Sequence, residues 1–395
     1  MKHTKRKLAG LALAFSLILA TAASAKIAVG DYIDLSGYVG ASARYQKTDR
    51  DQGVADDDSA KLDLDALKLS ASLKYNALSA KVSAYVPGST LDDANSDGVF
   101  ITEAYLSYAP GKGFTVSGGR FLSWIGYEPF DLDQQWNLTA GLGPMSHLVP
   151  NYHDGVRLEY TSGKISLGVA ALDSVYNDEY AVVSLGRHLP TAAPYRGDTD
   201  ARNGLGGEFT IRYQDEAFSF GATLAAEWNS DTFKDGAYAP DLSRGDIDYG
   251  LYVFDFWAQY YLSCTKTTLG AEFIYQRISP KNSSGIYQES LAAGDTLFDA
   301  TQYAVLLSAR QELTDRWSVA GTASFGELKY FDESTALRFA KVAVSPCFAL
   351  AKNIDLRAEA SWTNYSEDTR YNWDSGRSNA CKEEYFAGVQ MVFKF

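Results

Sequence analysis

From residue 31 to residue 395, apolar side chains recur at every second position in about 16 separate segments, and this alternation constrains the chain more than anything else in it. The last segment shows it well. Tyr385, Ala387, Val389, Met391, Phe393 and Phe395 fall on one side, and Phe386, Gly388, Gln390, Val392 and Lys394 on the other. Neighbouring side chains of a strand point to opposite faces, so such a segment has one oily face and one mixed, wetter face. No stretch after residue 25 approaches the ~18 consecutive apolar residues of a membrane helix. If the chain enters a membrane, it does so as strands.

The amino-terminal stretch reads as an export leader. Lys2, Lys5, Arg6 and Lys7 precede an apolar run, Leu8 to Ala20, and the small residues Ala23-Ser24-Ala25 offer a cleavage point. The alternative, a permanent anchor, fails on length, because the run is too short to span and lacks a stop-transfer pattern. The mature chain is expected to start at Lys26; a lysine there, instead of a cysteine, gives no sign of a lipid anchor.

Strand segments are expected at 31–46, 64–75, 78–86, 98–109, 113–121, 152–161, 164–173, 204–214, 217–228, 250–262, 266–277, 300–312, 316–328, 335–350, 354–364 and 385–395. The segment 335–350 is the least regular; its phase slips near Lys341, and Pro346 suggests a bulge or an early end. The links alternate between about two or three residues and much longer runs rich in Asp, Asn, Ser and Gly, the layout of an up-and-down barrel with tight turns at one rim and long loops at the other. Lipid offers no hydrogen-bond partner to an open sheet edge, so the sheet must close, oily face outward and polar face around water. A soluble sandwich would use its faces in the opposite sense, and a propeller would need a repeat that is absent from the sequence. The expectation is an all-β, transmembrane, antiparallel barrel occupying 26–395 as one domain, with both ends on the periplasmic side.

Composition agrees. The 26 Tyr and 20 Phe suit strands and membrane boundaries. The formal charge of −13, or −17 without the four leader cations, argues against a nucleic-acid partner. Cys264, Cys347 and Cys381 are too few and too oddly spaced for a disulfide framework and read as unpaired thiols. Nothing calls for a cofactor or a structural metal. Asp93, Asn95 and Asp97 resemble half of a calcium loop, but Ala104 stands where the bidentate Glu should be, so a plain acidic turn is preferred. An enzyme is not expected: the mature histidines His147, His153 and His188 lie in or beside loops, and there is no G-x-S-x-G elbow.

Barrels of about 16 strands enclose an aqueous channel. The long loop at 122–151 is the candidate constriction, with Glu128, Asp131 and Asp133 in it and Arg120, Arg157, Glu159, Glu208 and Arg212 on the adjoining wall. Opposed carboxylates and guanidinium groups would set a field across a pore, which is how channels sort ions and polar solutes. The alternative is that these are ordinary solvated lumen charges. Arg120 and Arg157 stand out for their place beside the loop's attachments, and the charge balance suggests at most a mild cation preference. Two further readings remain open: a barrel whose external loops bind surfaces, and a solute-specific uptake channel.

The stretch Gly119-Arg120-Phe121, Ile125-Gly126-Tyr127-Glu128, Trp136-Asn137 and His153-Asp154-Gly155-Val156-Arg157 resembles the β-barrel porin type 2, or OmpL-like, family. The segment 141–150 departs from that family's usual run. The resemblance implies an outer-membrane pore for small hydrophilic solutes and ions, with outer-membrane lipid around it; a barrel of this size is compatible with a homotrimer.

Overall fold

The structure is a computed structural model that describes residues 27–50, 57–87, 99–176, 205–232, 246–283, 300–330, 335–366 and 381–395. The leader, the calcium-like turn at 93–97 and most of the loops at 174–203, 229–249, 278–299 and 365–382 lie outside these residues.

A short strand, β1 (Ile27–Val29), precedes sixteen that form the wall: β2 (Ile33–Arg50), β3 (Asp57–Tyr75), β4 (Leu78–Pro87), β5 (Phe100–Gly111), β6 (Phe114–Leu122), β7 (Tyr152–Ser162), β8 (Ile165–Leu172), β9 (Leu205–Gln214), β10 (Phe218–Thr232), β11 (Asp246–Leu262), β12 (Thr267–Ser283), β13 (Ala300–Glu312), β14 (Trp317–Tyr330), β15 (Thr335–Ala351), β16 (Ile354–Tyr365) and β17 (Cys381–Lys394). Each strand pairs antiparallel with the next, and β17 pairs with β2, so the sheet closes on itself. At the seam Gly37 N donates to Phe395 O at 2.9 Å and Phe395 N donates to Gly37 O at 3.0 Å.

The outer face is apolar around the circumference. Leu106, Val156, Leu224, Leu307 and Val389 are each more than half exposed, a surface suited to hydrocarbon and unsuited to water. Aromatic rings bound this band. Tyr75, Tyr108, Phe114, Tyr160, Phe218, Tyr260 and Trp317 stand outward near the short turns, and Tyr45, Trp228, Tyr252, Trp362 and Tyr385 toward the long-loop rim. From Phe218 to Trp228 the strand runs ~33 Å, or ~25 Å of height at a tilt near 40°. That is the thickness of the apolar band in an outer-membrane barrel.

Several strands outrun their expected ends. β2 and β3 continue into the expected loop 47–61, and β10, β11 and β12 likewise extend beyond their alternating cores. Beyond the lipid both faces of a strand meet water, so the two-residue rhythm disappears while the ladder continues. In β3 the rhythm changes phase: Gly40 pairs with Ala66 but Ala41 with Leu64, leaving Asp65 as an extra residue. The outward series Leu67, Leu69 thereby becomes Leu62, Leu64 on the other parity. Pro346 neither ends β15 nor shifts it. The partners Val344–Ala360 and Cys347–Arg357 keep one register across it, and the irregularity falls at Ala349/Ala351 instead. The proline forgoes its own ladder bond and the strand carries on.

Candidate functional site

The lumen is occupied at mid-height by the segment Ser123–Asn151, which leaves β6, crosses the barrel and returns into β7. Its single regular element is a 3-10 turn, Gly143–Leu148. Three kinds of contact hold it.

Apolar packing is the first. Met145 and Leu148 are fully buried, and Trp124, Ile125 and Leu142 nearly so, against the inward-facing Leu251, Val253, Ile274, Leu306, Leu328 and Phe339. The lumen wall of β11–β15 is therefore oily where the loop covers it. Each fully buried residue of this size contributes about 1.5–3 kcal/mol relative to exposure.

Wall carboxylates are the second. Asp255 on β11 accepts from Gly126 N at 2.9 Å and Glu272 on β12 accepts from Tyr127 N at 2.9 Å. Glu359 on β16 accepts from Leu138 N at 2.5 Å, from Thr139 N at 3.1 Å and from the Thr139 hydroxyl. From the opposite charge, Lys341 on β15 donates to Thr139 Oγ1 at 2.7 Å and Ala140 O at 2.6 Å, and Arg357 on β16 donates to Leu132 O at 2.7 Å and Asp133 O at 3.2 Å. A buried backbone amide or carbonyl without a partner would be costly, so these side chains replace the water the loop has lost.

Glycine notches are the third. A Cβ on Gly40 would lie 2.3 Å from Leu132, on Gly168 2.6 Å from Trp124, on Gly270 2.3 Å from the Tyr127 hydroxyl and on Gly326 3.1 Å from Met145. All four glycines face inward, and a side chain of the loop lies against the wall at each.

The residues expected to line the pore divide accordingly. Arg120 does not line it. It shares the parity of Phe114 and Val116 on β6, pairs across the ladder with Asp154, and lies on the outer face, with Nη2 2.6 Å from Asp154 Oδ2 and the guanidinium 4.6 Å from the Tyr152 ring. Glu128 clasps the loop to itself: it accepts from Gly141 N at 2.7 Å, and burial pushes its carboxyl upward. Asp131 accepts from the buried Lys68 at 2.6 Å. Glu208 is buried and accepts from His153 Nε2 at 2.9 Å and Ser123 Oγ at 3.3 Å. Arg157 does face the lumen, 4.5 Å from the Phe121 ring centroid and 3.6 Å from Glu159; Arg212 stands 5.8 Å from the Trp124 ring. Asp133 sits at the loop's tip, and burial, with Asp131 nearby, pushes its carboxyl upward.

Alternation along their strands puts Asp255, Glu272, Arg310, Arg357 and Glu359 on the inner face, but gives them no role. The readable signal was an inner face turning oily along β11 and β13, which means that something covers it. Cys264 and Cys347 are free; the side chain of Cys381 lies outside the described residues. Among the described residues no cluster of His, Cys, Asp and Glu has the makings of a metal site.

Residues 32–395 match the profile of a family described as "Putative beta-barrel porin-2, OmpL-like". The chain belongs to this family. It is an outer-membrane β-barrel porin, a channel for passive diffusion, and family and fold are those of a channel instead of an enzyme. Solved structures agree on the fold. OmpT of Vibrio cholerae aligns with a TM-score of 0.58 at 10% identity, covering 95% of this chain and 99% of its own. The outer membrane channel DcaP of Acinetobacter baumannii aligns at 0.55 and 15%, covering 92% and 97%. The anion-selective porin from Comamonas acidovorans aligns at 0.54 and 14%, covering 92% and 99%. No protein of curated function is similar in sequence.

Proposed function

We propose that this porin admits small hydrophilic solutes through the part of the lumen that the segment Ser123–Asn151 leaves open, and that this segment sets the size limit. The observation that carries the reading is the fixing of the loop to strands on every side of the barrel, from Lys68 on β3 to Glu359 on β16. A constriction held this way is rigid, and a rigid constriction filters by size. Arg157, Glu159 and Arg212 are the pore-lining charges retained from the sequence. Residues 1–25 are read as the export leader and 26–395 as the barrel domain. Liposome swelling with sugars of graded size tests the proposal. A sharp cutoff, raised by shortening the loop, is expected; a barrel that admits no sugar in either form would leave its outer loops, as a binding surface, the better explanation.

A homotrimer is also proposed. The outer faces of β6 and β7 carry only Phe114, Val116, Val156, Leu158 and Tyr160 as large apolar residues below the Arg120–Asp154 pair, so the oily band is short there. A second copy against this wall would shield the pair from lipid tails. A trimeric form of OmpT of Vibrio cholerae, similar to this chain in fold, supports the reading. Crosslinking across β6 and β7 in intact outer membranes tests it.

A further inference from the structure

Beneath the loop's tip, on the short-turn side, lies a recess of about 160 Å³ whose lining includes Trp136, Arg310, Ser318, Ser345, Arg357 and Lys394. Three of these are cations, and Asp133 is the single carboxylate lining the same space. Their commitments differ. Arg357 donates to the loop carbonyls of Leu132 and Asp133 and lies 3.8 Å from Asp355. Lys394 lies 2.8 Å from Asp355. Arg310 stacks its guanidinium 5.7 Å from the Trp136 ring centroid and makes one long contact, 3.4 Å, with Ser318 Oγ. Among the described residues no carboxylate stands within ion-pair distance of Arg310.

Asp355 is shared by Lys394 and Arg357, and the other wall carboxylates are elsewhere. Glu208, Asp255, Glu272 and Glu359 are all buried, and bind the loop's amides, its Ser123 hydroxyl or His153. Most of the acid of the lumen wall is thus spent on holding the loop, Asp355 is spent on Lys394 and Arg357, and Arg310 is the cation of the recess left over. A guanidinium in a concave recess of the protein wall focuses its field and concentrates counter-ions. Its planar fork of N–H donors matches a carboxylate in shape, and the neighbouring hydroxyls add donors.

From this geometry we infer that the recess under Trp136 is a binding station for small carboxylate anions on their way through the channel, with Arg310 as the contacting group. The size fits. A cavity of ~150 Å³ holds a molecule as large as benzene, so a carboxylate such as malonate can enter and a long-chain one cannot. The inference rests on the channel reading and deepens it. It also reverses the cation preference expected from the overall acidity of the chain.

The test uses the refolded full barrel in planar bilayers, with the zero-current potential read under a KCl gradient and malonate added from the short-turn side. Anion over cation permeability and a malonate block of the current are expected. Arg310→Gln should lower the permeability ratio at least twofold and weaken the block roughly tenfold, the effect of losing one charge-assisted hydrogen bond. Arg310→Lys should keep the anion preference, which shows that the barrel still folds with a changed side chain at that position. Cation preference in the unchanged protein, or open channels indifferent to Arg310→Gln, overturns the inference and leaves the channel standing. If no current flows at all, the channel reading falls instead. The recess is then read by malonate quenching of fluorescence, compared with Trp136→Phe, and absence of a Trp136-dependent signal overturns it.

Discussion

Two sets of charged residues share the inner face of this barrel and do different work. On β11, β12 and β16, carboxylates lie beneath the loop, dry, and grip its backbone. On the short-turn side, Arg310 and Lys394 line a recess of about 160 Å³. Alternation assigns both sets to the same face. What separates them is whether anything covers that face, and the covering segment is far away in sequence: Thr139 and Glu359 meet across 220 positions. A lumen-facing charge is therefore evidence of a pore lining only after the course of the loop is known.

The contrast breaks most severely at Glu359. Glu359→Ala strands Leu138 N, Thr139 N and the Thr139 hydroxyl without their acceptor, and loss of about 4 kcal/mol of loop docking is expected. Conductance should rise and the loop should become cleavable by added protease; unchanged conductance would show that the carboxylate grip is incidental. Leu148→Ala attacks the oily half of the same attachment. It should cost about 3 kcal/mol, read as faster cleavage of the loop with the barrel itself still resistant to heat and detergent.

Acid offers a gentler probe. His147 is half-buried, its ring nitrogens 3.0 Å from Pro144 O and 2.8 Å from the Gln302 side-chain oxygen, and desolvation pushes its pKa from 6.5 down to about 4. The ring is neutral when docked, so its contribution is complete above pH 6.5 and is lost as pH falls through the window toward 4. By pH 4.5 the loop should be destabilised by ~2.5 kcal/mol, seen as increased cleavage that His147→Gln no longer shows. The smallest effect is expected on the outside. Arg120→Ala faces lipid or a neighbouring copy, so the zero-current potential should not move; a shift toward cations would put Arg120 back in the pore.

The strands were legible because lipid enforces a strict contrast between faces over each crossing. The misplacement of Arg120 was avoidable: it stands four residues beyond Val116 in an uninterrupted strand and must share its face. The strand ends were less legible, because β2 and β3 rise into water, where neither face is constrained. The loop was legible as a loop, from Leu122 to Asn151, but its course was not. The signs were present in Gly40, Gly168, Gly270 and Gly326, small residues inside strands where another chain segment comes close. They name a notch without naming its occupant.

The seam between β2 and β17 has a consequence for biogenesis. It joins the earliest and latest stitches of the wall, Gly37 to Phe395, so every other hairpin can zip up locally while this one must wait. Until it shuts, the nascent cylinder has two raw rims that hydrocarbon will not tolerate. Insertion and the final stitch are thus one event, and a chain stalled short of β17 would remain in the aqueous space as a sticky, unsealed ribbon.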